Sequence, residues 1–203
     1  MITVVCCGHA SYLVGRFCRC EKIVFLWIRT VGVSMAQFSP HPFGEGPFAM
    51  NIALYQPDIA QNTGAILRLA ACLNVAVDII GPAGFDISSR ALRRAALDYF
   101  DKVDLRRHGA FADFKQEIEG AGRRLILLTT RADVAYHNIV FKNDDVILAG
   151  RESAGVPEEV HASVDLRVRI PMRPDLRSLN VAVSLAMVVG EALRQTGGFP
   201  HLT

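Results

Sequence analysis

The chain holds 203 residues, 51% of them hydrophobic and 21% charged, with a formal net charge of +2. That length and apolar content suit one soluble domain with a sizeable core, and no apolar run is long enough to span a membrane. The near-balanced charge excludes nucleic-acid binding through the bulk field of the protein, so any such site has to be a local patch.

Residues 1–49 differ from the rest. Four of the five cysteines (Cys6, Cys7, Cys18 and Cys20) fall there. Adjacent cysteines and a one-residue gap fit no usual zinc spacing, so no metal is expected. Arginines interrupt the first apolar run and no charge precedes it, which argues against a secretory leader. The segment Ser39–Pro47 is a linker by composition, and Met35 and Met50 are both possible starts. Residues 1–49 therefore read as a weakly ordered extension, and residues 50–203 as the single working domain. With only Cys72 beyond the extension, that domain reads as a cytoplasmic protein of a reducing compartment.

From Met50 the pattern turns regular. Strands are expected at Asn51–Tyr55, Val75–Ile80, Val103–Leu105, Arg124–Thr129, Asp145–Ala149 and Leu166–Ile170. Helices are expected at Gly64–Leu73, Ser88–Tyr99, Phe111–Gly120, Pro157–Ala162 and Ser178–Gln195. Strands alternating with helices predict an α/β fold, a mostly parallel sheet with helices on both faces. Ligands of such sheets sit off the carboxyl ends of the strands. Four polar or glycine-rich segments belong there: Asp58–Arg68, Thr129–Arg131, Gly150–Gly155 and Met172–Asn180.

The stretch Ile170–Arg177, which leads into the last of these, carries two prolines, Pro171 and Pro174, which stop both helix and inner strand. The helix after it is expected to be capped by Ser178 and stopped by Gly197 and Gly198. Its residues are apolar nearly all round, which predicts burial on several sides. Alone, it reads as an ordinary C-terminal core helix with a proline-rich entry.

Several named chemistries fail at these loops. No Gly-x-Gly-x-x-Gly follows the first strand, which counts against a dinucleotide oxidoreductase. The loop Gly150–Gly155 lacks the Gly-Lys-Ser/Thr that grips a triphosphate, and no Gly-x-Ser-x-Gly elbow occurs. His108, His137 and His161 are scattered and read as surface residues. Two features survive. Arg68 follows Asn62 by six residues on an early helix that Asn62 or Thr63 is expected to cap; a solvated arginine on a capped helix is the plain alternative. Arg90, Arg93 and Arg94 stand at i, i+3 and i+4, near Arg106 and Arg107. They form either a guanidinium cluster suited to phosphate oxygens or a solvated face paired with Asp98 and Asp101.

Taken together, Asn62-Thr-Gly…Arg68, Ile147–Gly155 and Ile170-Pro-Met…Arg-Ser-Leu-Asn180 resemble the three motifs of the SPOUT RNA methyltransferases. The stretches Leu92–Tyr99 and Leu128–Thr130 are similar to the branch that methylates the ribose 2′-hydroxyl at the tRNA wobble position, cytidine or uridine 34. The resemblance implies a C-terminal trefoil knot and a homodimer whose site is completed across the interface. It implies S-adenosylmethionine bound by Leu128, Thr129, Gly150, Glu152, Ile170, Met172, Ser178, Leu179 and Asn180. It implies a catalytic Arg68, with Asn62 shaping its loop. Arg90, Arg93, Arg94, Arg106 and Arg107 then become candidates for holding the tRNA anticodon region. Many relatives carry a Ser-Asn pair where this chain has Ala182 and Val183, which implies fewer polar contacts near the methyl group. Ribose methylation elsewhere on tRNA or rRNA, or an inactive RNA-binding relative, are the alternatives.

Overall fold

The structure, a computed structural model, describes residues 50–87 and 90–201; the extension expected at residues 1–49 lies outside them. Six strands form one sheet: β1 (Asn51–Tyr55), β2 (Ala76–Ile80), β3 (Leu105–His108), β4 (Leu125–Leu128), β5 (Val146–Ala149) and β6 (Leu166–Val168). Their order is β3-β2-β1-β5-β4-β6, and every neighbouring pair is parallel. The helices are α1 (Ala60–Leu73), α2 (Arg90–Ala96), α3 (Phe111–Gly120), α4 (Glu158–Ser163) and α5 (Val181–Thr196).

The pleat of β1 shows why two layers of helix are needed. All five of its residues are buried. Ile52 and Leu54 face a core shared with Ile66 and Leu67 of α1, Leu92 of α2 and Leu185, Val188 and Val189 of α5. Ala53 and Tyr55 face a second core, with Phe114 and Ile118 of α3 and Val160 of α4. A strand apolar on both sides is stable only where both sides are covered. Each buried large apolar side chain contributes about 1.5–3 kcal/mol.

Winding starts outward through β1, β2 and β3, then resumes on the other side of β1 with β5, β4 and β6. The direction reverses between β1 and β5, and at such a switch point the loops diverge and leave a crevice at the carboxyl edge.

The structure moves several boundaries. Helix α1 begins at Ala60, and its N-cap Ile59 makes no side-chain cap. Neither Asn62 nor Thr63 caps it; both lie inside its first turn, and Thr63 Oγ1 donates back to the Ile59 carbonyl at 3.4 Å. Helix α5 begins at Val181, and its cap is Asn180, whose side chain accepts from Ala182 N and Val183 N. Ser178 lies upstream in the irregular loop. That helix is buried on one face only: Val183 is 51% and Met187 39% exposed.

The third strand runs over Leu105–His108 instead of Val103–Leu105, because pairing with β2 joins Val77 to Leu105 and Ile80 to His108. Local composition made those basic residues look like loop. His108 is not a surface residue: its Nε2 lies 2.8 Å from Oδ1 of Asp78, a carboxylate only 2% exposed. Asn51 Nδ2 donates to the other Asp78 oxygen at 2.8 Å, so the buried charge keeps its partners.

Helix α2 ends at Ala96, and a 3₁₀ turn, Leu97–Lys102, follows, with Leu97 at φ 53°. Helices α1 and α2 approach closely at Gly64, where a Cβ would stand 2.3 Å from the Ala95 Cβ and 2.8 Å from its carbonyl carbon. Gly64→Ala is therefore expected to destabilise the fold by about 1–3 kcal/mol, as overpacking does. Urea unfolding of the two proteins measures it.

Candidate active site

A cavity of about 460 Å³ opens at the carboxyl edge of β4 and β5. Leu127 and Leu128 of β4 and Ala149 of β5 supply apolar wall, and the loops 150–156 and 170–181 supply most of the rest. Leu128, Thr129, Gly150, Glu152, Ile170, Met172, Ser178, Leu179 and Asn180 all line it, as does Asn62 from α1. Ile59, Arg151, Val156 and Ser184 also line it and were not singled out from the sequence.

The loop after β5 is closed on itself. Arg151 N donates to the Gly155 carbonyl at 3.0 Å, and Gly155 N donates back to the Arg151 carbonyl at 2.7 Å. This turn requires both glycines. Gly155 sits at φ +70°, and a Cβ on Gly150 would come within 2.7 Å of the Gly155 backbone. Only bare backbone fits such an approach.

Hydrogen bonds connect this loop to two helices. Glu152 accepts from Asp58 N at 3.0 Å and from Asn62 Nδ2 at 3.1 Å. Asn180 Nδ2 donates to Asn62 Oδ1 at 2.9 Å, while Asn180 Oδ1 accepts from Ala182 N and Val183 N. The series runs from the loop after β5, through the start of α1, to the start of α5.

Asp58 stands at its head. Its Oδ2 accepts from Arg151 Nε at 3.1 Å and from the Ser153 hydroxyl. The Ser153 hydroxyl and the Arg151 guanidinium, both donating to it, hold the Asp58 carboxyl well below the usual carboxylate range, against the opposing effect of desolvation. Sequence reading passed over Asp58 as one polar loop residue. Its signal was a carboxylate placed directly after Pro57, at the carboxyl end of the central strand.

The arginines are distributed differently. Arg68 does not line the cavity. It lies about 9 Å along α1 from Asn62, at ~1.5 Å per residue, and its Cζ is 5.3 Å from the centre of the Tyr99 ring. Arg93 rests over Phe100, with its Cζ 5.0 Å from that centroid. Arg93, Arg94 and Arg107 are exposed, and Arg90 opens α2. Arg106 does not join that group. Strand alternation places it on the side of His108, opposite to Arg107, and it forms an ion pair with Asp104 at 2.8 Å.

Comparison with known proteins decides the family. A profile of the SpoU rRNA Methylase family matches residues 49–190. A Beijerinckia indica protein named tRNA (cytidine(34)-2′-O)-methyltransferase is 60% identical over 146 residues, covering 72% of this chain and 91% of that protein. The chain belongs to the SpoU rRNA methylase family. A solved structure described as "Structural insights into the 2-OH methylation of C/U34 on tRNA" superposes with TM-score 0.70 at 41% identity, over 74% of this chain and 97% of that one. An S-adenosylmethionine-bound rRNA methyltransferase from Sinorhizobium meliloti superposes with TM-score 0.68 at 25% identity, over 86% of this chain and 69% of that one.

SpoU methylases depend on S-adenosylmethionine, and the cavity suits such a group. Gly150 and Gly155 leave backbone open to an adenine, Ile170, Met172 and Leu179 offer apolar surface, and Glu152 and Asn180 offer polar atoms. Among the described residues no group of three or more His, Cys, Asp or Glu side chains is placed to hold a metal.

The depressed Asp58 carboxyl carries a pH signature. A group whose folded pKa lies below its unfolded value, here 3.8, stabilises the fold above that value and loses this contribution as pH falls through the folded one. Asp58→Asn is therefore expected to be less stable than the parent by a constant margin above about pH 5, and the margin should narrow in more acid solution. Chemical unfolding at a series of pH values reads it directly.

Proposed function

We propose that this chain methylates the ribose 2′-hydroxyl of the wobble nucleotide, cytidine or uridine 34, in tRNA. One observation carries the reading in the structure: the loop after β5 and the loop before α5 enclose one cavity and are hydrogen-bonded through Asn62 to the helix that bears Arg68. The name of the 60% identical relative supports the substrate. Residues 50–203 are the working domain, a cytoplasmic enzyme, with the chain knotted where residues 170–180 pass the loop after β5.

The cofactor positions are Leu128, Thr129, Gly150, Glu152, Ile170, Met172, Ser178, Leu179 and Asn180. S-adenosylmethionine, when bound, supplies a methyl group made electrophilic by its sulfonium. The protein has to align the ribose oxygen and ease loss of its proton. Arg68 does so by positioning and charge, because guanidinium scarcely deprotonates in proteins and cannot serve as an ordinary base. Its field favours the developing oxyanion, whose proton passes to a neighbouring RNA phosphate or to water. Asn62 holds the start of the same helix against Glu152 and Asn180.

Arg68 stands outside the cavity wall, so the site is completed in a homodimer. The exposed apolar residues Leu179 (43%), Val183 (51%) and Met187 (39%) form the partner-facing stripe around the start of α5. Arg90, Arg93, Arg94 and Arg107 meet the anticodon-arm phosphates, while Arg106 is held by Asp104.

Mass spectrometry of tRNA from a deletion strain is expected to show the wobble 2′-O-methyl group missing; its persistence would sink the reading. Arg68→Ala should lower single-turnover methyl transfer by at least about 10²-fold with cofactor affinity kept. Val183→Asp is expected to convert the dimer to monomer in sedimentation. Its acidic side chain sits in the first turn of α5, where the helix dipole tolerates it.

A further inference from the structure

Among the described residues, several arginines end on acids. Arg106, Arg124, Arg131 and Arg151 reach Asp104, Asp145, Glu158 and Asp58 respectively, at 2.6–3.1 Å. Arg68 is different. Among the described residues no carboxylate pairs with it, and its contact is the face of Tyr99, 5.3 Å from the ring centre. Lys102 Nζ stands 5.7 Å from the centre of the same ring.

A carboxylate partner would occupy the guanidinium fork and cancel its charge. An aromatic face attracts the cation through the ring quadrupole and uses none of its N–H donors. Tyr99 is itself held. It lies on the 3₁₀ turn Leu97–Lys102, whose Phe100 packs against the larger core, and that turn follows the helix docked on Gly64 of α1. The ring therefore has a fixed place relative to the helix that bears Arg68. A second cation at the same ring makes the spot attractive to a phosphate or ribose oxygen.

We propose that Tyr99 is a positioning residue for Arg68: its ring fixes the guanidinium while leaving the charge and all the donors free for the RNA. The inference rests on the catalytic reading of Arg68. Single-turnover methyl transfer at saturating S-adenosylmethionine and tRNA is the test. Tyr99→Leu is expected to slow the step about tenfold with cofactor affinity unchanged, and Tyr99→Phe, which keeps the ring face, to restore most of the rate. The side-chain Nε–H signal of Arg68 in NMR spectra should be ring-shifted in the parent and in Tyr99→Phe, and unshifted in Tyr99→Leu. A parent signal at the unshifted position would overturn the proposal without any variant. So would Tyr99→Leu at the parent rate, or Tyr99→Phe as slow as Tyr99→Leu, while Arg68→Ala is inactive. An active Arg68→Ala would instead remove the catalytic reading beneath it.

Discussion

The carboxylate of Glu152 accepts one hydrogen bond from the backbone just after β1 and another from the side chain of Asn62. Both partners are some ninety residues earlier in the chain. The loop 150–155, glycine at both ends with mostly polar residues between, has little apolar surface to hold it, so its shape depends on such bonds. Each charge-assisted bond of this kind contributes about 1.5–3 kcal/mol. Asp58 repeats the attachment from the other side, taking Arg151 and Ser153. Three consecutive loop residues are thus secured to one turn.

Consequences extend in two directions. Asn62, held by Glu152, accepts from Asn180, and Asn180 in turn caps α5. The cavity wall, the first turn of the arginine-bearing helix and the start of the C-terminal helix therefore share one set of polar contacts. In the other direction, α1 docks against α2 through Gly64 and carries Arg68 to the Tyr99 ring. In the proposed methyl transfer, the methyl-donor pocket and the guanidinium are connected through α1, and neither has to be placed by a flexible side chain alone. That arrangement suits chemistry in which alignment supplies most of the rate.

Charge follows the same economy. The sequence is close to neutral overall, and many of its arginines are paired with acids in the fold. Near α2 and the turn after it, Arg93 and Arg68 lie over aromatic rings and have no acid partner among the described residues. A protein of low net charge can still offer a local cationic surface when its remaining charges are neutralised at home.

Much of the fold is legible in the sequence. The alternation of apolar runs with amphipathic segments determined an α/β sheet covered on both faces, because a strand apolar on both sides has no other stable setting. Helix Phe111–Gly120 and strand Asn51–Tyr55 were placed at their observed bounds, since their patterns are local. The residues expected to bind the cofactor line one cavity together with Asn62, whereas Arg68 lies outside it. What the tertiary structure decided were matters of partnership. Asn180 took the cap expected of Ser178 because its oxygen meets the free amides of α5. Basic residues 106–108 became strand because β2 offered them hydrogen bonds and a buried Asp78. Arg106 and Arg107 separated because neighbours on a strand point to opposite sides. Asp58 acquired its role only when a loop ninety-odd residues away arrived to bond it. A chain shows its own periodicity in one dimension, whereas the partner of a polar group is chosen by folding in three.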